Sequence, residues 1–199
     1  MKDHLIKYKS IREKKQPQFL ILGNRIPVDF FETRGTGESD IAIHAGSYHL
    51  ALKSANIERY NIVTYSSILP GIARRVKRPR IPVHGSVMES IMSVCHSRKG
   101  ERSTAGIIYG WLFNRITGEK YGGLVCEHAG KYDNVELRKR LGMSLEELYI
   151  NGFADGYELR DIEFLSESFV PEKKYGTALV ALCFTSYHYP IINGNRQIT

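Results

Sequence analysis

The sequence predicts an α+β fold with a largely antiparallel sheet. Strand-like runs of β-branched and aromatic residues recur along the 199-residue chain, with only a few helical patterns among them. Two of these runs, Thr104–Phe113 and Lys120–His128, flank the turn signal Thr117-Gly118-Glu119, which predicts a hairpin and therefore antiparallel pairing. The length is that of one domain with a sizeable core.

The N-terminal part of the chain is predicted to contain strands followed by a helix. Phe19–Gly23 is a short apolar run typical of a buried strand, and Ile26–Thr33 is a second strand candidate. Gly35–Asp40 is predicted to be a glycine-rich loop. The helix that follows has Ser47 as its predicted N-cap and Asn56 as its predicted end. Its apolar face, with i, i+3, i+4, i+7 spacing, consists of Tyr48, Ala51, Leu52 and Ala55.

The middle of the chain is predicted to return to strands. Asn61–Ser66 alternates in the manner of a strand and ends at Leu69-Pro70-Gly71, a turn signal. Residues 71–82 are predicted to form a loop. Over Val83–His96 the apolar positions fit a helix and a strand equally well, so periodicity alone leaves both open.

The C-terminal part is predicted to contain helices and then strands. The helices are expected at Asn134–Leu141 and Ser144–Ala154, the second beginning with a capping box at Ser144-Leu145-Glu146-Glu147. Strands are expected at Asp161–Val170 and Tyr175–Tyr187, and a lysine-rich break with one proline separates them.

The net charge of +7 comes from two short segments. Residues 1–17, a predicted basic N-terminal extension, and residues 74–80 together hold eleven of the 28 Lys and Arg residues but only two of the 21 Asp and Glu residues. Such clusters can bind nucleic acid or anionic surfaces. A solvated basic loop is the commoner case, so we do not expect a nucleic-acid partner.

The cysteines and the apolar runs bear on the compartment. Cys95, Cys126 and Cys183 are odd in number and widely spaced, which is typical of buried thiols in a reducing compartment and not of a metal site. No apolar run approaches the length of a membrane span, and the basic N-terminus lacks the apolar segment of a secretory signal. We therefore expect a cytoplasmic protein with no membrane partner.

One serine pair at the end of a predicted strand is a candidate for chemistry. A strand that delivers Ser66 and Ser67 to a turn could present a hydroxyl to the preceding carbonyl. Two serines could equally end a strand and solvate a turn. By itself the pair does not separate these interpretations.

The residues around the serine pair favour a chemical role over a solvated turn. Residues 52–70, LKSANIERYNIVTYSSILP, resemble the core signature of the pyruvoyl-dependent arginine decarboxylases, in which an Asn precedes a Ser-Ser or Thr-Ser pair that is followed by an apolar residue and Pro. The resemblance extends over about residues 18–190 and makes 18–199 a single catalytic domain. Further segments that match in the same order are Gly35–Asp40, His84–Glu89, Gly122–Glu127 and Lys173–Ala178.

The resemblance implies a self-cleaving enzyme. The chain would break between Ser66 and Ser67 into residues 1–66 and 67–199, and Ser67 would become a covalent pyruvoyl group. Asn61 would help to stabilise the oxyanion of cleavage. The pyruvoyl group would form a Schiff base with the substrate, in place of pyridoxal phosphate and without a metal. Glu127, at the end of an apolar strand, is expected to be desolvated and to protonate the substrate Cα.

The substrate implied by the resemblance is L-arginine, released as agmatine and CO₂. His49 occupies the position at which archaeal-type members carry an Asp, eighteen residues before the pyruvoyl serine. Glu38 and Asp40 are candidates for the missing negative charge, and Leu52 keeps the apolar contact position of the family. A decarboxylase of another amino acid therefore stays open.

The resemblance also implies an assembly and a role. The family fold is a four-layer α-β-β-α sandwich, which makes Val83–His96 a strand, and its chains assemble as trimers or dimers of trimers with active sites between subunits. The role would be arginine metabolism, in polyamine supply or proton consumption. An alternative from another class is an unprocessed module that binds partners through residues 1–17 and 74–80.

Overall fold

The computed structural model describes residues 22–79 and 83–192. The predicted extension at 1–17 and most of the predicted strand at 19–23 therefore lie outside the described residues. The chain divides into two compact units, of which Ile26–His188 is the larger. In the smaller unit, Leu22 forms an isolated bridge with Ile191.

The larger unit contains a five-stranded sheet that is mostly antiparallel. Its central strand pairs antiparallel with both neighbours, and a short strand adds in parallel at each edge. In spatial order the strands are β3 (Asn61–Thr64), β6 (Val87–Arg98), β10 (Tyr175–Phe184), β2 (Asp29–Ser39) and β5 (Arg74–Arg75). The segment over which periodicity was ambiguous, Val83–His96, is thus largely a strand.

A four-stranded sheet is antiparallel throughout. The predicted hairpin forms its centre, and Gly118 in the turn has a φ of 70°, which glycine adopts without steric cost. In spatial order its strands are β4 (Ile68–Pro70), β8 (Lys120–Gly130), β7 (Ser103–Asn114) and β9 (Tyr157–Phe169). Two further short strands, β1 (Ile26–Pro27) and β11 (Tyr187–His188), pair with each other. The prediction of a largely antiparallel α+β fold is confirmed.

The two helices predicted near the C-terminus are a single helix, α2 (Asn134–Gly152). Its N-cap is Asp133, whose side chain accepts hydrogen bonds from the N–H groups of Val135 and Glu136, so the capping box predicted at Ser144 is wrong. The helix continues because one buried stripe at i, i+4, i+8 runs through the expected break. That stripe consists of Leu137, Leu141 and Leu145.

The glycine-rich loop predicted at Gly35–Asp40 is also wrong, because residues 35–39 belong to β2. A π-helical segment, Ile43–Tyr48, and α1 (His49–Ser54) pack onto this part of the strand. A Cβ at Gly37 would lie 2.3 Å from both the Ser47 carbonyl oxygen and the Ala51 nitrogen. The glycines therefore allow a close strand–helix contact and do not form a turn.

Both ends predicted for that first helix can be compared with the structure. Ser47 is not an N-cap but lies inside the π-helical segment, fully buried, with its hydroxyl 2.9 Å from that of Thr177. Asn56 follows the end of α1 with a φ of 58°, the left-handed conformation in which helices commonly terminate. The predicted end is confirmed and the predicted start is wrong.

Three hydrophobic clusters hold the larger unit together. One contains side chains of both sheets, including Phe30, Ile107 and Val180. A second joins α1 to the five-stranded sheet, and a third joins α2 to the four-stranded sheet. Neither helix, among the residues that the structure describes, is long and apolar enough to cross a membrane.

Candidate functional site

The Ser66-Ser67 pair connects the two sheets. On its N-terminal side, β3 pairs with β6, and the N–H of Tyr65 donates to the Ser90 carbonyl at 2.8 Å. On its C-terminal side, β4 pairs with β8, with Ile68 opposite Leu124. The two serines are therefore the short crossing between a strand of the five-stranded sheet and a strand of the four-stranded sheet.

Both serines make hydrogen bonds that bear on cleavage. The Ser67 hydroxyl donates to Oε2 of Glu127 at 2.6 Å. The Ser67 carbonyl accepts from the Val125 N–H at 3.1 Å, and the Ser66 carbonyl accepts from the Ile68 N–H at 3.0 Å. The carbonyl that would be attacked thus already has a backbone donor, and the hydroxyl that would attack it has a carboxylate partner.

The position of Glu127 in β8 leaves its side chain free to hydrogen-bond with Ser67, because β4 is too short to cover it. Pairing between β4 and β8 covers only Gly122–Leu124 of β8, so Glu127 lies beyond the end of β4. Its side chain is consequently exposed in this chain, and the predicted desolvation is not observed. Ser67 and Glu127 are 60 positions apart in the sequence, and the pairing of β4 with β8 brings them together.

A cavity of about 530 Å³ opens beside this hydrogen bond. That volume lies within the range of small-molecule sites. Burial, and secondarily the neighbouring Glu127 carboxylate, raises the pKa of the Cys126 thiol in its wall to about 11. The cavity is lined by Ser67, Val125, Cys126, Glu127, Ser144, Glu147, Leu148 and Asn151.

The four residues predicted to contact substrate lie elsewhere in the described chain. His49 is exposed on α1, and Leu52 packs against the cluster between α1 and the five-stranded sheet. The Glu38 carboxylate accepts the N–H of Glu172 at 2.8 Å, in the connection between β9 and β10.

Asp40 has a similar contact. Its carboxylate accepts the N–H of Lys174 at 3.1 Å, also in the connection between β9 and β10. Both acidic side chains thus fix a loop, and within this single chain neither lines the cavity.

Asn61 lies at the start of β3, and the serine pair follows the other end of that strand. Its side-chain amide donates to the Gly85 carbonyl at 2.7 Å. The structure therefore brings Ser67 and Glu127 together, whereas the donor that it gives the Ser66 carbonyl is the Ile68 N–H.

Sequence reasoning missed the wall of the cavity that α2 contributes. The relevant side chains follow an i, i+3, i+4, i+7 pattern, which places them on one helix face. This spacing lies within the helix predicted at Ser144–Ala154, but the sequence does not indicate that this helix face borders Ser67 and Glu127. The missed residues are Ser144, Glu147, Leu148 and Asn151.

The basic segment at 74–80 is partly neutralised by acidic partners. The Arg74 Nε lies 2.6 Å from Asp29, and Arg75 lies 3.1 Å from Glu32. The Arg78 guanidinium donates to the Ala55 carbonyl at 3.3 Å. These three cations are therefore engaged within the chain, which gives no support to the alternative of a binding module.

The chain is similar to proteins of one known family. The family described as pyruvoyl-dependent arginine decarboxylase (PvlArgDC) matches residues 29–189. The pyruvoyl-dependent arginine decarboxylase AaxB of Chlamydia pneumoniae is 30% identical over 192 residues, and that of Chlamydia abortus is 27% identical over 190 residues. Each alignment covers 83% of this chain and 94% of the relative. The chain belongs to the pyruvoyl-dependent arginine decarboxylase family.

Proposed function

We propose that this chain cleaves itself between Ser66 and Ser67 and then decarboxylates L-arginine to agmatine and CO₂. The observation that carries the proposal is the Ser67–Glu127 hydrogen bond of 2.6 Å beside an open cavity, in a chain of this family. Acting on arginine is what the names of the chlamydial relatives state.

Cleavage begins when the Ser67 hydroxyl oxygen attacks the Ser66 carbonyl carbon. Glu127 orients the hydroxyl, and the Ile68 N–H stabilises the oxyanion that develops on the Ser66 carbonyl oxygen. Collapse breaks the Ser66–Ser67 C–N bond, the hydroxyl proton passes to the freed Ser67 nitrogen, and an ester is left between Ser66 and the Ser67 side chain. Elimination removes the Ser67 Cα proton and breaks the Cβ–O bond, which releases the Ser66 carboxylate. Hydrolysis of the dehydroalanine at position 67 releases ammonia and leaves a pyruvoyl group.

The residues around Ser67 fit such a group. Position 67 lines the cavity, so a substrate that enters can reach it, and the carbonyl of residue 67 is held by the Val125 N–H. The pyruvoyl group supplies a carbonyl electron sink for the charge that decarboxylation leaves on the substrate Cα. Once the Ser67 hydroxyl is consumed, the Glu127 carboxylate is released from its hydrogen bond, and after it takes up a proton from solvent at its exposed side it can deliver that proton to the substrate Cα.

Recognition of a guanidinium requires a carboxylate in the cavity. Two of the lining residues carry one: Glu127, which faces Ser67, and Glu147 on α2. We propose that Glu147 pairs with the guanidinium and takes the part that an Asp plays where this chain has His49. Asn151, one helical turn further along the same face, adds a polar amide.

The assembly and setting belong to the same proposal. The three hydrophobic clusters support a stack of four layers, in the order α1, five-stranded sheet, four-stranded sheet, α2. By membership of the family we propose trimers or dimers of trimers of cleaved chains, acting in the cytoplasm in arginine metabolism. If a neighbouring chain completes the site, the His49 and Leu52 side chains of that chain would contact the substrate.

Intact mass spectrometry of the purified protein tests self-cleavage. We expect chains of residues 1–66 and 67–199, the larger one lighter than a serine-started chain by one ammonia. The Ser67→Ala variant is the control and should stay in one piece. A single full-length mass for the wild-type protein would refute the proposal and favour the alternative of an unprocessed binding module.

Assays over a panel of amino acids test the substrate, and a variant tests Glu127. Preference for an amino acid other than arginine would refute arginine as the substrate while leaving the pyruvoyl-dependent reaction intact.

Glu127→Gln should still cleave itself, because its amide oxygen can accept the Ser67 hydrogen bond. Its decarboxylation rate should fall by about 10²–10⁴-fold, because the amide cannot donate the proton. Unchanged decarboxylation would exclude Glu127 as the proton donor.

A further inference from the structure

The residue immediately before the serine pair is held at its backbone and at its side chain. The Tyr65 N–H donates to the Ser90 carbonyl at 2.8 Å, and its ring packs on Phe184 with centroids 5.5 Å apart. The phenol hydroxyl donates to Oε2 of Glu89 on β6. Tyr65 is thus fixed relative to β6 and to the core between the sheets.

Glu89 is an unusual residue for its position. It is only 3% exposed, and strand alternation places it on the same face of β6 as Ile91 and Cys95, which belong to the cluster that both sheets share. A carboxylate in such surroundings is costly unless it is hydrogen-bonded, and an apolar residue would pack there without that cost. A buried carboxyl group that is hydrogen-bonded to the residue next to the serine pair is therefore a candidate for function.

The other side of the serine pair is fixed to the opposite sheet. The Ser67 carbonyl accepts from the Val125 N–H at 3.1 Å, and Ile68 pairs with Leu124. The bond to be broken thus lies between two anchored points, Tyr65 on the five-stranded sheet and Ser67 on the four-stranded sheet. Attack by a side chain on its own preceding carbonyl needs an uncommon backbone arrangement, which two such anchors can impose.

We propose that Tyr65 and Glu89 are positioning residues for self-cleavage. Their hydrogen bond fixes the N-terminal side of the crossing, so that the Ser66 carbonyl is held for attack by the Ser67 hydroxyl. The pair acts on the precursor and has no part in decarboxylation once the pyruvoyl group exists. This inference rests on the proposed self-cleavage.

The test measures cleavage rates of newly made protein. Wild-type and variant chains are produced by cell-free translation, quenched at intervals and resolved as precursor and product. Tyr65→Phe should slow cleavage at least tenfold. The matched control is Tyr109→Phe, which also removes a phenol hydroxyl bonded to a side-chain carboxyl in this cluster; its partner, at 2.6 Å, is Glu32 on β2 and not a residue of β6.

Further variants separate positioning from a general loss of stability. Glu89→Gln should retain most of the rate, because its amide oxygen still accepts the phenol hydrogen bond, whereas Glu89→Leu should be as slow as Tyr65→Phe. Combining Tyr65→Phe with Glu89→Leu should slow cleavage no further, as for two partners of one interaction. Decarboxylation per mole of pyruvoyl should match the wild type in every variant.

The outcomes distinguish a failure of the positioning role from a failure of the proposed self-cleavage. Cleavage of Tyr65→Phe at the wild-type rate, or equal slowing by Tyr109→Phe, would overturn the positioning role while leaving self-cleavage in place. A reduced rate of decarboxylation per mole of pyruvoyl in Tyr65→Phe would also overturn it. Absence of cleavage in the wild-type chain would instead refute the proposed function itself.

Discussion

Replacing Gly37 by alanine tests the close contact between β2 and the helical segment above it. The added Cβ would lie 2.3 Å from the Ser47 carbonyl oxygen and from the Ala51 nitrogen, whereas ordinary contacts of a Cβ are 3.4–4 Å. Both obstructing atoms are backbone, so no side chain can rotate away. The strand and helix must separate by about 1 Å, and overpacking of this kind costs about 1–3 kcal/mol.

The expected effect is a fall in melting temperature of about 2–12 °C, since one kcal/mol corresponds to about 2–4 °C for a chain of this length. The assay is thermal unfolding followed by circular dichroism, in a Ser67→Ala background so that every molecule is one intact chain. Gly142→Ala is the control, because a Cβ there meets no atom within 4 Å and alanine favours the interior of α2. We expect that control to gain about 0.5–1 kcal/mol. A Gly37→Ala protein as stable as its parent would refute the reasoning.

Three further predictions concern the cavity and the response to pH. Glu147→Gln should raise the KM for arginine roughly tenfold to hundredfold in steady-state assays, as expected for a lost charged hydrogen bond, while Glu146→Gln, its neighbour outside this cavity, should not. Cys126 should react with iodoacetamide at pH 8 about a hundredfold more slowly than an ordinary thiol, measured by mass spectrometry, because burial raises its pKa to about 11. Burial, and secondarily His44, lowers the pKa of His96 below 6.5, so its contribution to stability is present above that pH and is lost as the pH falls through the lowered value. Urea unfolding should therefore show declining stability below about pH 6.5, and His96→Gln should flatten that decline.

Local signals in the sequence were sufficient where the structure is determined locally. The hairpin around Gly118 was predicted correctly because its turn chemistry and its strand patterns lie next to one another in the chain. The end of α1 at Asn56 was predicted for the same reason. The fold class follows from such elements without knowledge of their partners.

Local signals failed where a distant contact decided the outcome. Gly35–Asp40 has the composition of a loop, but its glycines lie in a strand because a helix packs against them. Ser144 has the pattern of a helix cap, yet the buried stripe of Leu141 and Leu145 carries α2 past it. In both cases tertiary packing outweighed a local preference.

The candidate site shows the same division. Resemblance to a family pointed to Ser67 and Glu127, and the fold brings them within 2.6 Å. Two further features depend on backbone geometry and cannot be predicted from residue types. They are the contribution of α2 to the cavity and the hydrogen bond from the Ile68 N–H to the Ser66 carbonyl. Tyr65 and Glu89 also meet only because β3 pairs with β6.

The position of the serine pair also determines the molecularity of folding. A cut after Ser66 would leave β2 and β3 on one chain and β5, β6 and β10 on the other, although these five strands form a single sheet. The intact precursor folds in a first-order reaction, whereas the cleaved protein could regain its structure only through a second-order encounter of two fragments. If the proposed cleavage occurs, recovery of the cleaved protein after denaturation should therefore depend on concentration, and unfolding should become effectively irreversible at high dilution.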